Sequence, residues 1–209
     1  MILYDEIREL SDKYEIELKK QIDSRIIEMH DDDLSHHMLY QVLGISSQFG
    51  KDIDTYQNIG RFLYKYAGSF LEEAAFYCIK YKFPNAKKIK IPNTIGQKPK
   101  TFEIDALVDK YAIEIKWRDA TTDGDHVTKE HTRLEVIHAA GYKPIRLMFY
   151  YPNRSQAQKI QKTLQTLYHG MNGEYYYADS AWDFILKFTG VDLLKILRQI
   201  AYEKQGNGI

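Results

Sequence analysis

The stretch from Thr101 to Arg118, TFEIDALVDKYAIEIKWR, constrains the fold more than any other part of the chain. It alternates with period two on both sides of Asp109-Lys110, which reads as two strands joined by a tight turn. Phe102, Ile104, Ala106 and Val108 fall on one face of the first strand; Glu103, Asp105, Leu107 and Asp109 fall on the other. In the second strand Tyr111, Ile113, Ile115 and Trp117 alternate with Ala112, Glu114, Lys116 and Arg118. Closing the hairpin sets Asp105 opposite Glu114, with Lys116 two residues further along the same face. Two carboxylates and an ammonium in the middle of a sheet are costly to desolvate. A hard cation between the acids offsets that cost, because it takes carboxylate, water and phosphate oxygens as ligands. The bland alternative is a cross-strand ion-pair cluster on a solvated face. The apolar flanking strands, and the apolar run Ile145 to Phe149, argue against so exposed a position.

The chain leading to this hairpin is helical. Apolar residues recur at three- and four-residue steps from residue 3 to 30. Asp31-Asp32-Asp33 then breaks the pattern. With His36 and His37 nearby a metal site is conceivable, but the spacing supplies no convergent ligand set. The segment reads instead as an acidic loop with Ser35 capping a helix through about Leu43. Residues 61–81 carry a wide apolar stripe that includes Cys78, with Glu72 and Glu73 in its middle. Pro84 stops that helix. A strand over Lys88–Ile91 follows, within a cluster of Lys87, Lys88, Lys90, Lys98 and Lys100. Those lysines suit phosphate contacts, or equally an edge strand kept soluble.

After the hairpin come a polar loop over Asp119–Asp125 and a helix over Val127–Ala140 that stops at Gly141. A buried strand over Pro144–Tyr151, a helix over Ser155–Tyr168 and a strand over Glu174–Tyr177 follow. Two terminal helices, Asp183–Phe188 and Val191–Tyr202, lie either side of Gly190. An antiparallel hairpin feeding a crossover to a parallel strand makes this an α/β fold with a central mixed β-sheet flanked by helices. The 209 residues suffice for one domain, read as a helical extension over 1–55, a core over 60–170, and a C-terminal strand with helices over 171–209. With 29 basic and 29 acidic residues the net charge is zero, which excludes a protein held to nucleic acid by bulk charge alone. The one cysteine forms no internal disulfide and no cysteine metal site. The chain opens on no signal sequence, so a cytoplasmic location is expected. A glycine-rich phosphate loop is absent.

Asp105 followed by Glu114-Ile115-Lys116 resembles the D…ExK signature of the PD-(D/E)xK nuclease superfamily. Among its branches the chain looks most like a small type II restriction endonuclease, and KWRDATTDGDHVTKEHTR adds a fainter resemblance to ApaLI-like restriction enzymes. The resemblance spans roughly Phe62 to Leu167. The proline that precedes the first acid in the family is Ile104 here. The resemblance implies a restriction-endonuclease-like core and a Mg²⁺-dependent endodeoxyribonuclease that cuts double-stranded DNA at a short specific site. It also implies a homodimer and a companion DNA methyltransferase. Asp105 and Glu114 would hold the metal, and Lys116 would orient the attacking water or offset charge. Several relatives add a glutamate from the preceding helix, which here falls on Glu73 ahead of Glu72. Arg118, Asp119, Thr121, Thr122, Asp123, His126, Lys129 and Arg133 are the candidate DNA-reading residues, by their capacity to bond base edges and phosphates. The competing readings are a structure-selective repair or junction-resolving nuclease, disfavoured by the balanced charge, and a non-catalytic DNA-binding module on the same fold.

Overall fold

The computed structural model describes residues 2–96, 98–118 and 124–206, and of residues 124–126 the backbone alone. The helices and strands run in the order α1 (Ile2–His30), α2 (His37–Val42), α3 (Ser47–Lys82), β1 (Lys87–Pro92), β2 (Thr101–Val108) and β3 (Tyr111–Arg118). There follow α4 (Gly124–Ala139), β4 (Lys143–Tyr150), α5 (Ser155–Gly170), β5 (Glu174–Tyr177), α6 (Asp179–Thr189) and α7 (Leu193–Gly206). They form two compact units, one of Met1–Ile7 with Leu71–Ile209 and one of Arg8–Phe70.

The larger unit is built on a five-stranded sheet in the order β1-β2-β3-β4-β5. The pairs β1–β2 and β2–β3 are antiparallel, while β3–β4 and β4–β5 are parallel. This is the expected mixed sheet. Two apolar clusters fix α4 and α5 to it. Val136 and Ile137 of α4 pack with Phe102, Ile104, Leu107 and Ala112. Leu134 of α4 and Leu164 and Tyr168 of α5 pack with Met148 and Tyr175. Aromatic side chains hold α6: Trp182 lies 4.3 Å from Phe149 and Phe184 lies 4.9 Å from Tyr176, between ring centroids. Residues i and i+1 of a strand face opposite ways, so Met148 and Phe149 place α5 and α6 on opposite faces. Cys78 is fully buried, and burial pushes its thiol up to about 12, so it stays protonated.

The first strand of the hairpin departs from simple alternation. Lys87 pairs with Leu107, but Ile89 pairs with Ile104. Asp105 and Ala106 together therefore stand opposite Lys88, which is a β-bulge. The extra residue reverses the alternation, and Leu107 joins Phe102 and Ile104 in one apolar cluster. This corrects the placement of Phe102 and Ile104 on the opposite face: Leu107 keeps the face of its partner Ala112, which is also that of Glu114, and the bulge brings Phe102 and Ile104 onto it. Unbroken period-two counting carries no signal for a bulge, whose cause is the pairing with β1.

Gly173 enters β5 where no side chain fits. A Cβ there would lie 2.6 Å from the Pro144 carbonyl oxygen and 2.9 Å from that of Tyr168. Both obstacles are backbone, so the clash cannot be relieved by a rotamer change. Gly173→Ala is expected to destabilise the protein by about 1–3 kcal/mol, measured as a lower urea midpoint. A loss below a few tenths would show that the β4–β5 edge gives way freely.

The smaller unit is entirely helical. Within Arg8–Phe70 only Leu10, His37 and Gly50 are buried. Two boundaries differ from expectation. Helix α2 begins at His37, behind His36 with no side-chain cap bond. The Ser35 hydroxyl instead donates to Asp33 Oδ2 at 2.6 Å, because the aspartate two residues back is the nearer acceptor. Helix α3 starts at Ser47 rather than near 61. Residues 47–60 contain Gly50, Gly60 and many short polar side chains, so their apolar periodicity is too thin to read. No helix of the described residues is long and apolar enough to cross a membrane.

Candidate active site

The hairpin ladder runs from Val108↔Tyr111 to Ala106↔Ile113. The next step of that register sets Asp105 beside Glu114. There a side chain takes up a main-chain group: Asp105 Oδ2 accepts a hydrogen bond from the Ile115 N–H at 2.7 Å. The bond fixes the carboxylate and satisfies a buried donor. Asp105 and Glu114 are both buried, at 5% and 3% exposure. Carboxylates so deep in a protein require compensating charge.

That charge comes from three elements. Lys116 Nζ lies 2.6 Å from Glu114 Oε1 as an ion pair. The approach lacks hydrogen-bond geometry, and Oε1 receives no hydrogen bond. Arg133 of α4 donates through Nη2 to Glu114 Oε2 and to the Glu103 carbonyl oxygen. Lys88 of β1 donates to Glu72 Oε1 of α3 at 2.7 Å. Burial opposes the Lys88 charge, but the bond it donates to Glu72 and the fields of Glu72, Asp105 and Glu73 outweigh it and hold the ammonium above its usual range. Lys88, opposite Asp105 in the bulge, is thus the cation paired with Glu72 of α3. Glu73 also bonds Tyr77, whose phenol is pushed up by burial first and by the Glu73 charge second.

Behind Glu114 lies a buried square of alternating charges. Glu114 on β3 is in register with Arg146 on β4. Glu130 and Arg133, one turn apart on α4, sit across them. Arg146 Nη1 donates to Glu130 Oε2 at 3.0 Å, and Arg133 Nη1 lies 3.6 Å from Glu130 Oε1. The Tyr168 hydroxyl adds a donor to Glu130 at 3.4 Å. Burial, then the Glu130 charge, push that phenol upward, so it remains a neutral donor. Each charge has an opposite neighbour, the condition under which buried ions persist.

Of the residues singled out from sequence, Asp105, Glu114 and Lys116 come together on the hairpin. Glu72 binds Lys88, which stands opposite Asp105 in the bulge, and Glu73 is the next residue of α3. Arg118 and Lys129 are exposed. Arg133 is buried at 8% exposure, bound to Glu114 rather than standing on the surface. Asp119, Thr121, Thr122, Asp123 and the side chain of His126 lie outside the described residues. Lys88 stood out in the sequence only within the lysine cluster suited to phosphate contacts, and Glu130 and Arg146 were not singled out. An arginine in the apolar run PIRLMFYY, and acid and base three apart on the preceding helix, were the signals present. Among the described residues, the one set of three or more His, Cys, Asp or Glu ligand atoms within mutual metal-binding reach is His36, His37 and Asp54, in the helical unit.

A mixed five-stranded sheet, flanked by helices and carrying two buried acids on its hairpin, defines an α/β protein with a built acidic centre. The chain belongs to the ApaLI-like restriction endonuclease family, whose family model matches residues 1–202. Its class is therefore that of a DNA-cleaving hydrolase, with DNA as substrate. The match takes in the helical unit and the C-terminal helices as well as the sheet. No curated protein and no solved structure matches the chain.

Proposed function

We propose that the chain is a Mg²⁺-dependent endonuclease that cuts double-stranded DNA at one short sequence, with Asp105, Glu114 and Lys116 as its catalytic residues. The observation that carries this reading is the pair of buried carboxylates set side by side at a bulged hairpin. The donor set fits a hard cation. Glu114 Oε1 is a buried carboxylate oxygen with no hydrogen bond. Asp105 commits Oδ2 to Ile115 and has a second oxygen to offer. Two carboxylates suffice for Mg²⁺, which retains water and takes substrate phosphate oxygens for the rest.

Asp105 and Glu114 would hold the ion, which when bound would supply polarisation of the phosphodiester and a lowered pKa for a bound water. The protein's own part is to orient and to balance charge. The Ile115 N–H locks Asp105, while Arg133 steadies Glu114 from behind. Lys116 is half-buried beside Glu114, where its ammonium can hold the attacking water or offset charge growing on the phosphate oxygens. Glu73 is the further acid in this reading, since Glu72 is paired with Lys88. Arg118, Asp119, Thr121, Thr122, Asp123, His126 and Lys129 form the proposed DNA-reading set. Arg133 passes from that set to the catalytic centre. A homodimer reading a palindrome, and a companion methyltransferase, belong to the same proposal.

The test is incubation of plasmid DNA with the protein and Mg²⁺. Discrete bands are expected, and run-off mapping of the ends then gives the site and its stagger together. Failure to cut varied DNAs with either Mg²⁺ or Mn²⁺ would sink the proposal. Cleavage of branched but not linear DNA would replace sequence specificity with structure specificity.

A further inference from the structure

We infer that His36, His37 and Asp54 form a zinc-class metal site that staples the helical unit, separate from the acids of the hairpin. The loop before α2 and the second turn of α3 meet here. His36 Nε2 lies 3.0 Å and His37 Nε2 3.1 Å from the same atom, Asp54 Oδ2. Around a tetrahedral Zn²⁺ with bonds near 2.0–2.1 Å, neighbouring ligand atoms stand roughly 3.3 Å apart. Both histidine–aspartate separations are within a few tenths of an ångström of that spacing, and the three ligand atoms all lie within 4.8 Å of one another.

Hydrogen-bond chemistry at His36 points the same way. Its Nδ1 lies 3.1 Å from the Asp33 carbonyl oxygen while its Nε2 faces Asp54. Both partners are acceptors. A neutral imidazole has one N–H, so it satisfies one of them only. A second proton or a metal cation at Nε2 resolves the conflict, and with the metal there the Nδ1–H···O=C bond is the contact that fixes the ring of a metal-bound histidine. The other oxygen of Asp54 is likewise held, by the Tyr40 hydroxyl at 3.0 Å. His37 is 3% exposed, and its Nδ1 has no hydrogen-bond partner. A buried imidazole left half-satisfied by the protein is costly unless its other nitrogen has a strong partner.

The surroundings are shaped for this set. Gly50 lets α3 approach α2: a Cβ there would lie 2.6 Å from the Tyr40 ring. A cleft of about 180 Å³ opens beside the cluster, lined by His36, Asp54 and Asp32 among others. Asp32 or a water entering through the cleft can supply the fourth ligand. Two imidazoles and a carboxylate favour Zn²⁺ over Mg²⁺, which prefers oxygen donors throughout. The unit also has use for a staple. It buries almost no apolar side chain between Arg8 and Phe70, and small units short of core commonly fold around a metal.

The experiment uses the full chain carrying Asp105→Asn and Glu114→Gln, so that the hairpin acids take up no metal. After chelation and dialysis against Zn²⁺, bound metal is counted by mass spectrometry and thermal unfolding is followed. One Zn²⁺ per chain and a raised Tm are expected. His36→Ala, whose side chain is half exposed, should remain folded by circular dichroism and lose both the metal and the Tm rise. Co²⁺ in place of Zn²⁺ should give the strong visible absorption of a four-coordinate site. Sub-stoichiometric zinc, equal uptake by His36→Ala, or the weak spectrum of six-coordinate Co²⁺ would each overturn the inference. None of these readouts depends on DNA cleavage.

Discussion

Asp105→Asn is expected to leave the protein folded and to remove DNA cleavage. The two consequences separate because Asp105 has two tasks on different atoms. Its Oδ2 accepts the Ile115 N–H inside the sheet, and an asparagine oxygen accepts the same bond. Stability should therefore change by less than about 1 kcal/mol, the net worth of a single hydrogen bond. What asparagine lacks is the negative charge that would hold the cation. Stabilisation of the transition state by a bound metal is worth several kcal/mol, and each 1.4 kcal/mol is tenfold in rate, so cleavage should fall on the order of 10³-fold. Asp105→Ala should lose cleavage equally and in addition cost about 1–3 kcal/mol, because the buried Ile115 N–H is left unsatisfied. Cleavage rates and urea midpoints for both variants decide the matter. Unimpaired metal-dependent cutting by Asp105→Ala would remove this residue, and the proposed centre with it, from the mechanism.

The largest stability effect is expected at Arg146. This guanidinium has no solvent exposure and donates to Glu130, itself buried. Arg146→Met leaves Glu130 with a more distant Arg133 and a long bond from Tyr168. Breaking a buried pair from one side costs about 3–5 kcal/mol, since the remaining charge is uncompensated. For a chain of this size that is a fall in Tm of roughly 10 °C. Replacing both partners, Glu130→Met with Arg146→Met, should recover much of the loss, because no orphaned charge remains in that pair. The exposed pair Lys19–Glu15 on α1 has a shorter separation, 2.7 Å. Yet its removal should cost no more than about 0.5 kcal/mol, because water screens it and both side chains lose freedom in forming it. A double variant as unstable as the sum of its single variants would show that the square does not act as a unit.

The helical unit contributes in a different way. If zinc binds as inferred, its thermal stability depends on metal supply, while the proposed chemistry would depend on a second, harder cation at the hairpin. Chelation would then affect folding and cleavage through separate sites, which the paired readouts of metal content and cleavage rate distinguish.

Much of the sheet unit could be read directly. Strong alternation defined β2 and β3, and the apolar run PIRLMFYY marked β4 as a buried parallel strand. Period and burial are local properties, carried by neighbouring residues. The pairing of Asp105 with Glu114 was legible for the same reason, since a tight turn at Asp109-Lys110 fixes hairpin register. Two features depended on the whole fold. Arg133, read from sequence as a candidate DNA-reading residue, lies buried against Glu114; which face of α4 meets the sheet is set by packing of Leu134, Val136 and Ile137. His36 and His37 at the start of α2 and Asp54 in α3 show no ligand spacing along the chain, yet they converge once α2 meets α3.

The hairpin acids therefore follow from sequence by itself: alternation and one turn bring Asp105, Glu114 and Lys116 together wherever the hairpin forms. The tertiary structure decided how they are set. Lys88 on the neighbouring strand meets a bulge at Asp105-Ala106, and α4 lowers Arg133 onto Glu114 from the far side. Both depend on contacts between segments distant in sequence, whose geometry is fixed only when the separate apolar faces pack against one sheet.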